Sequence, residues 1–388
     1  MMIDEEKRSR IRDGLMREGI GALVLRYPEN VVYATSYWPC FGWSTCVYPL
    51  DGEPVLITPE CERPFAEKAE FKDLRAVKGD YAAAAAKIVS DVLDERRLER
   101  STLGVEASFE TIAANHVGGE ANFPNSPSFA RLRDALPECK IVDATHLLYG
   151  LRSVKSEAEI GKLRLANRIA AKGLEAARDA LKPGIRETEL ASQAEGAIHS
   201  FGVGYGGTLR ARGFAFVMSG PLSAQAHMPF NISTKRRIRR GDLVLIELNT
   251  YADGYWSDLT RVWSCGRPTA KQLEIYDVVL GAQREAMRVA SDGAKAEGPY
   301  LAAKGSIGRG GYGEHYPHGL GHGVGARMHE PIPSLGPGST ELLMKGMVHS
   351  VEPGIYIPKF GGVRIEDNVV DRDTGAVTLS MFERTLET

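Results

Sequence analysis

In HYPHGLGHGVGARMHEP, residues 315–331, four of the chain's nine histidines stand among glycines. Imidazole carries protons near neutral pH and is a common metal ligand, so such a cluster suggests chemistry. Acids in strand-like contexts strengthen the suggestion. In LVLIELNTYADGYWSDLTRVW, residues 243–263, two β-rich runs flank Asp253-Gly254, a strong hairpin signal. A tight turn there sets 252 opposite 255, 249 opposite 258 and 247 opposite 260. Glu247 and Asp258 then become diagonal neighbours on one face, about 7–8 Å apart at their Cα atoms. A second expected hairpin, GMVHSVEPGIYIPKFGGVRIEDNVV at 346–370, holds Glu352 and Glu366 among apolar residues, where an unpaired acid is costly to bury.

Four carboxylates gathered with an imidazole repel one another unless neutralised, and two divalent cations supply the matching positive charge. An oxygen-rich donor set with one imidazole suits manganese, the expected ion, and also cobalt, iron or zinc. A metal pair can activate a water and polarise a scissile carbonyl, which is hydrolase chemistry.

These side chains need a scaffold, and the chain is long enough for two domains at 388 residues. Apolar residues make up 43% and charged residues 25%, with a net charge of -2, the profile of an ordinary globular protein. No nucleic-acid partner is implied: the densest basic run, KRRIRR at 235–240, is short and reads as a solvated hairpin. The five cysteines (Cys40, Cys46, Cys61, Cys139, Cys265) lack CxxC spacing, which argues against a disulfide framework and for a reducing compartment. No run approaches the roughly 20 apolar residues of a membrane span, and the charged first twenty residues lack a signal-peptide core. The expectation is a cytoplasmic protein without a membrane partner.

Residues 1–150 alternate charged, helix-like stretches with short apolar runs. Helices are expected over 4–18 and 81–99, strands at 22–26 and 103–106, and two strands around an Asp-Gly turn at 46–59, which suggests a layered α/β domain. Near 150 the texture changes. Ser156 with Glu157 and Glu159 makes a helix start, apolar residues recur at helical spacing to Leu181, and Lys182-Pro183-Gly184 ends the run. Further helices are expected at 186–201, 269–291 and 297–306, with strand-rich segments between and after them. The second domain, 151–388, is therefore read as α+β.

At this point the residues resemble the pita-bread metallohydrolases, the family of aminopeptidase P, prolidase, methionine aminopeptidase and creatinase. The resemblance spans nearly the whole chain. RYPENVVYATSYW is similar to the creatinase-type N-terminal domain, and LRSVKSEAEIGKLRLANRIAAKG to the family's interdomain helix. It implies an α+β fold in which a smaller α/β creatinase-type domain, 1–150, precedes a pita-bread catalytic domain, 151–388. By position it implies a metal-ligand set of Glu247, Asp258, His322, Glu352 and Glu366, with Asp258 and Glu366 bridging two divalent ions. His329 in MHEP and His227 in AHMPF match substrate-binding and catalytic histidines, with Glu352 moving protons. His318 would line the pocket, and Tyr356 and Arg364 match substrate-contacting positions. His315 is left to loop packing, and His349 to core or surface. One departure stands out: Glu247 and Asn249 occupy positions where the peptidases carry aspartate and glycine, which pushes one carboxylate about 1.5 Å further from the backbone.

The resemblance implies a dinuclear hydrolase of peptide or amide bonds, an Xaa-Pro aminopeptidase or dipeptidase acting on a small peptide as a homodimer. A different reading is a metal-independent C–N hydrolase of a small amide or amidine, as in creatinase and ectoine hydrolase, with His227 as base and Glu247 as nucleophile or acid. A third is a non-catalytic binder of peptide or protein. The aromatic stretch YWPCFGW, residues 37–43, reads either as N-domain core or as a loop that, in a dimer, closes over the partner's site; Trp38 and Trp43 carry that distinction.

Overall fold

The short apolar runs of the first 150 residues become strands of a single mixed sheet. The structure is a computed structural model that describes residues 4–39, 44–67, 72–79, 81–108, 126–228 and 232–387. The chain divides into two units, Met1–Arg152 and Ser153–Thr388.

In the first unit the strands are β1 (Ala22–Leu25), β2 (Thr45–Pro49), β3 (Val55–Pro59), β4 (Asp73–Val77), β5 (Thr102–Val105) and β6 (Lys140–Asp143), in the order β4-β3-β2-β1-β5-β6. The pair β2–β3 is antiparallel around Asp51-Gly52, with Cys46 opposite Leu56. Helices α1 (Glu5–Glu18), α2 (Pro28–Thr35), α3 (Arg63–Ala66), α4 (Tyr81–Glu95), α5 (Ser126–Ala135) and α6 (Thr145–Ser153) accompany the sheet. The helix expected over 81–99 stops at Glu95, because Arg97 turns into the left-handed region at φ 58°. Tyr37 is core, buried among Leu23, Tyr48 and Leu148, whereas Trp38 is half-buried. Cys40 and Trp43 lie outside the described residues.

The second unit opens with α7 (Glu157–Ala180), whose start is a reciprocal capping box: Glu159 N–H donates to Ser156 Oγ and Ser156 N–H to Glu159 Oε2. It packs with α8 (Glu187–Gly202) on an antiparallel sheet of β7 (Ala211–Ser219), β8 (Leu243–Ala252) and β9 (Tyr255–Ser264). The β8–β9 register pairs Ala252 with Tyr255, Asn249 with Asp258 and Glu247 with Thr260, so the Asp253-Gly254 turn forms where expected. Strand periodicity then sorts the two faces. Val244, Ile246 and Leu248 go to the helices with Leu174, Leu190 and Trp263, each fully buried, and truncating any of these leucines or Ile246 to alanine costs about 2–5 kcal/mol. The opposite face begins with Leu245 and Val262 in a second core and then turns polar at Glu247, Thr260, Asn249 and Asp258.

That second core is filled by α9 (Ala270–Val289) and α10 (Glu297–Arg309). It also takes in a five-stranded sheet ordered β11-β10-β12-β15-β16 and a two-stranded ribbon β13-β14. The strands are β10 (Gly321–Gly323), β11 (Glu330–Leu335), β12 (Val348–Val351), β13 (Gly354–Ile357), β14 (Gly361–Arg364), β15 (Asp367–Arg372) and β16 (Gly375–Thr378). The hairpin expected over 346–370 is present but interrupted. Val351 pairs with Asp367 and Gly354 with Arg364, in one continuous register, and the ladder breaks between them at Glu352-Pro353 and Ile365-Glu366. Pro353 cannot donate a hydrogen bond, so the break falls where it costs least. The shared register sets Glu352 opposite Glu366 at the gap. Two segments of the expected site therefore come from ladder ends rather than from regular strand interiors.

Candidate metal centre

Three strand systems bring the acids together. Thr260 of β9 bridges to Glu366, whose N–H donates to the Thr260 carbonyl at 3.2 Å while Thr260 Oγ1 donates to Glu366 Oε2 at 2.6 Å. Asp258 N–H donates to Asn368 Oδ1 at 2.9 Å, which locks β9 to the start of β15. His322 arrives on β10, where a register shift between His322 and Gly323 turns the strand beside the acids. Glycine flanks it for a steric reason: a Cβ at 321 would sit 2.2 Å from the Ser350 carbonyl, and one at 323 would sit 2.4 Å from the Ile332 carbonyl.

The imidazole is oriented for metal rather than for proton. His322 Nδ1 lies 3.0 Å from the Gly323 carbonyl and must donate to it, so Nε2 presents its lone pair. That lone pair faces Asp258 Oδ2 at 3.6 Å and Glu352 Oε1 at 3.7 Å. Burial first, then the nearby cationic groups, pushes the His322 pKa down to about 4, so the ring is neutral and its Nε2 lone pair meets two crowded carboxyl groups. A cation is what such a convergence accommodates.

The carboxylates respond to the same crowding. Asp258 is raised well above the usual range, by burial and then by Glu366 and Glu247, with Arg364 opposing. Glu366 is raised by burial and by Glu352. Glu352 is pushed up to about 8, burial being the largest cause and Asp258 and Glu247 adding to it. Among the described residues, two groups offer donor atoms mutually close enough to hold an ion: Asp258, His322 and His329, and His322, Glu352 and Glu366. The donor set fits a divalent ion on chemistry as well as geometry, being carboxylate oxygens with imidazole nitrogens.

Glu247 belongs to neither group. Its Oε2 accepts from Arg364 at 2.5 Å, and Arg364 also donates to Thr260 Oγ1 and to the Ala226 carbonyl. Burial alone would lower the guanidinium's pKa, but Tyr356 and the acids around it hold it well above its ordinary value. Asn249, the other departure, donates to Asp258 Oδ1 across the β8–β9 pair. His329 stacks on His322 with ring centroids 3.9 Å apart, so it stands beside the acids and not only over the pocket. His318 donates through Nδ1 to the Gly319 carbonyl and accepts at Nε2 from the Tyr356 hydroxyl at 3.0 Å, and His227 lies 4.9 Å from the Tyr356 ring. His315 sits in a short 3-10 turn, and His349 is fully buried with Nε2 3.0 Å from Asp371, in the core.

The sequence reading missed Thr260, Asn368 and Ser350. Ser350 Oγ donates to Glu352 and accepts from the His322 N–H, tying two candidate ligands together. Thr260 could have been found, because the register set it opposite Glu247; Asn368 and Ser350 carry no local signal.

Residues 161–372 match the model of metallopeptidase family M24, and residues 7–154 match the creatinase/prolidase N-terminal domain. An Xaa-Pro dipeptidase of Pyrococcus furiosus is 33% identical over 95% of each chain. The solved prolidase of Pyrococcus horikoshii is 30% identical and superimposes with a TM-score of 0.77 over 98% of this chain and 99% of its own. The X-Pro aminopeptidase of Thermotoga maritima is 25% identical, with a TM-score of 0.81 over 97% and 100%.

Proposed function

The chain belongs to metallopeptidase family M24, and on that premise we propose that it is a metal-dependent hydrolase of Xaa-Pro peptides, a dipeptidase or aminopeptidase. The observation that carries this reading is the convergence of the His322 Nε2 lone pair with the crowded carboxyl groups of Asp258 and Glu352. Asp258, His322, Glu352 and Glu366 would hold divalent ions, two in number, with Glu247 completing the set. Manganese is the first choice for an oxygen-rich set with few imidazoles. Bound there, the ions would activate a water and polarise the scissile carbonyl.

The protein's own groups do the rest. Glu352, opposite Glu366 in the break of the hairpin, takes a proton at its free carboxylate oxygen and returns it to the leaving amine. His329 and His227 approach from two different segments and donate to the substrate, stabilising charge that develops on the carbonyl oxygen. His318, Tyr356 and Arg364 form one hydrogen-bonded series along the pocket wall, which fixes the tautomer of His318 and the position of Glu247. The reading extends to a homodimer in a reducing cytoplasm, supported by the family resemblance and by the four described cysteines being free thiols.

Chelation should abolish turnover of an Xaa-Pro dipeptide panel, and manganese should restore it together with about two equivalents of bound metal per chain. Turnover indifferent to chelator would overturn the reading. Light scattering of the same preparation reports the oligomeric state.

A further inference from the structure

One buried acid outside the site accepts four hydrogen bonds. Glu187, the first residue of α8, has no exposed surface, and a buried carboxylate without a cation must be satisfied by donors. Four donors reach it, sorted by oxygen. Oε1 accepts from Ser219 N–H at 2.8 Å and Ser219 Oγ at 2.6 Å, and Oε2 accepts from Thr234 N–H at 2.9 Å and Thr234 Oγ1 at 2.6 Å. One carboxylate thus joins two points of the chain, the end of β7 and the start of the basic run at 235–240.

Those two points bracket the segment that carries His227. Between them, Ser223 accepts the Gly362 N–H at 2.8 Å, and the Ala226 carbonyl accepts from Arg364 at 3.1 Å, immediately before His227. The fit against β14 is close, because a Cβ on Gly362 would lie 2.2 Å from the Ser223 carbonyl. The backbone of α8 already holds the Thr234 end, through Glu187 N–H to the Arg236 carbonyl and Thr188 N–H to the Thr234 carbonyl. Among the described residues, only the Glu187 side chain links that end to Ser219 from the helix, while Ser233 Oγ, next to Thr234, accepts from Val217 N–H of β7 at 2.9 Å. Arg236 reinforces the junction, donating to Ser219 Oγ and to Asp242. The basic run is not a hairpin: it bends at Lys235, makes an isolated bridge from Arg237 to Arg186 and turns at Arg240, with Arg236 half-buried while its other cations face solvent.

We propose that Glu187 is a positioning residue for the reaction: by closing both ends of the His227 segment on one carboxylate, it sets where His227 meets the substrate, without contact with substrate or metal. The role rests on the peptidase reading for its kinetic consequence and on geometry alone for its structural one. Replacing the carboxylate by an amide puts two N–H groups against donors at one end and releases that end.

The experiment is a double-mutant cycle with Glu187→Gln and His227→Ala. Glu187→Gln should lower kcat/KM for an Xaa-Pro dipeptide about ten- to hundredfold, the usual cost of losing a residue that orients a functional side chain, chiefly through kcat because His227 acts on charge that develops in the transition state, with bound manganese nearly unchanged. In the His227→Ala background the same change should add nothing further. Thr234→Val, which removes one of the four donors, should give a smaller shift in the same direction and serves if Glu187→Gln does not fold. Hydrogen exchange of residues 220–228 should quicken in Glu187→Gln and not in His227→Ala. An equal loss of kcat/KM with and without the His227 side chain, a loss of bound manganese, or unchanged exchange in 220–228 would overturn the proposal. If the wild type turns over no Xaa-Pro peptide, the functional reading fails, and the exchange measurement still decides the clamp.

Discussion

Glu366 and Asp367 are neighbours in the chain and both are buried, yet they inhabit opposite electrostatic worlds. Asp367 accepts from Arg261 at 2.6 Å, Arg384 at 2.7 Å and Gln283 at 2.9 Å, and from Ser380. Burial would raise its pKa, but Arg261 and Arg384 hold the carboxyl below the ordinary range. Glu366, one residue back on the other face, has one short hydrogen bond from Thr260, a guanidinium 3.9 Å away, and other acids as neighbours. Its carboxyl is raised. A buried acid matched with cations belongs to the architecture, whereas acids gathered without enough of them form a site that calls for an ion.

Substitution at the two positions should separate these roles. Asp367→Ala leaves the Arg261 guanidinium buried and unpaired, and should cost about 3–5 kcal/mol in urea unfolding while the folded fraction still binds metal. Loss of manganese binding in that folded fraction would merge the two clusters into one functional unit. Glu366→Gln should do the reverse. Activity should drop on the order of 10³-fold, the equivalent of the several kcal/mol that metal-borne charge stabilisation supplies. Thermal stability measured in chelator should hold or rise, because one repulsive charge is gone; a marked fall would mean that Glu366 is architectural after all.

Metal itself should sharpen the contrast. Manganese at a hundredfold excess over its Kd should stabilise the wild type by about 2.7 kcal/mol through preferential binding to the folded state. The same addition should leave Glu366→Gln with much less of that gain, and Asp367→Ala with most of it. Equal gains in the two variants, read as shifts in urea midpoint, would contradict the division of labour.

The smallest expected effect comes from a mixed case. His349 is fully buried, which disfavours its charged form, but Asp371 3.0 Å away outweighs this and raises its pKa above the ordinary 6.5. The folded state then holds the proton more tightly than the unfolded chain. Its contribution is fully present below pH 6.5 and fades as pH rises through the raised value. Melting temperature should therefore decline with pH in this window for the wild type and decline less for His349→Gln. A steeper decline in the variant would reverse the assigned sign.

Much of this architecture is legible locally. The Asp253-Gly254 turn and period-2 alternation determine the β8–β9 register, so the convergence of Glu247, Asp258 and Thr260 follows from residues within twenty positions. The capping box at Ser156 announces α7 for the same reason, since its partners are three residues apart. The ligand set beyond that hairpin became legible through resemblance to a family, not through periodicity. No local pattern distinguishes Glu366 from Asp367, because what separates them is Arg261 and Thr260, more than a hundred positions earlier, and Arg384 after them.

The amino-acid sequence by itself determined the strands, the turns and which residue types could bind an ion, because those depend on neighbours a few bonds or one hairpin away. Only the tertiary structure decided which acids meet cations and which meet each other. It also decided that Arg364 holds Glu247, and that Glu187 reaches across to Ser219 and Thr234. The reason is range: backbone conformation is set by short contacts, while the charge state of a buried group is set by whatever the fold carries to within a few ångströms of it.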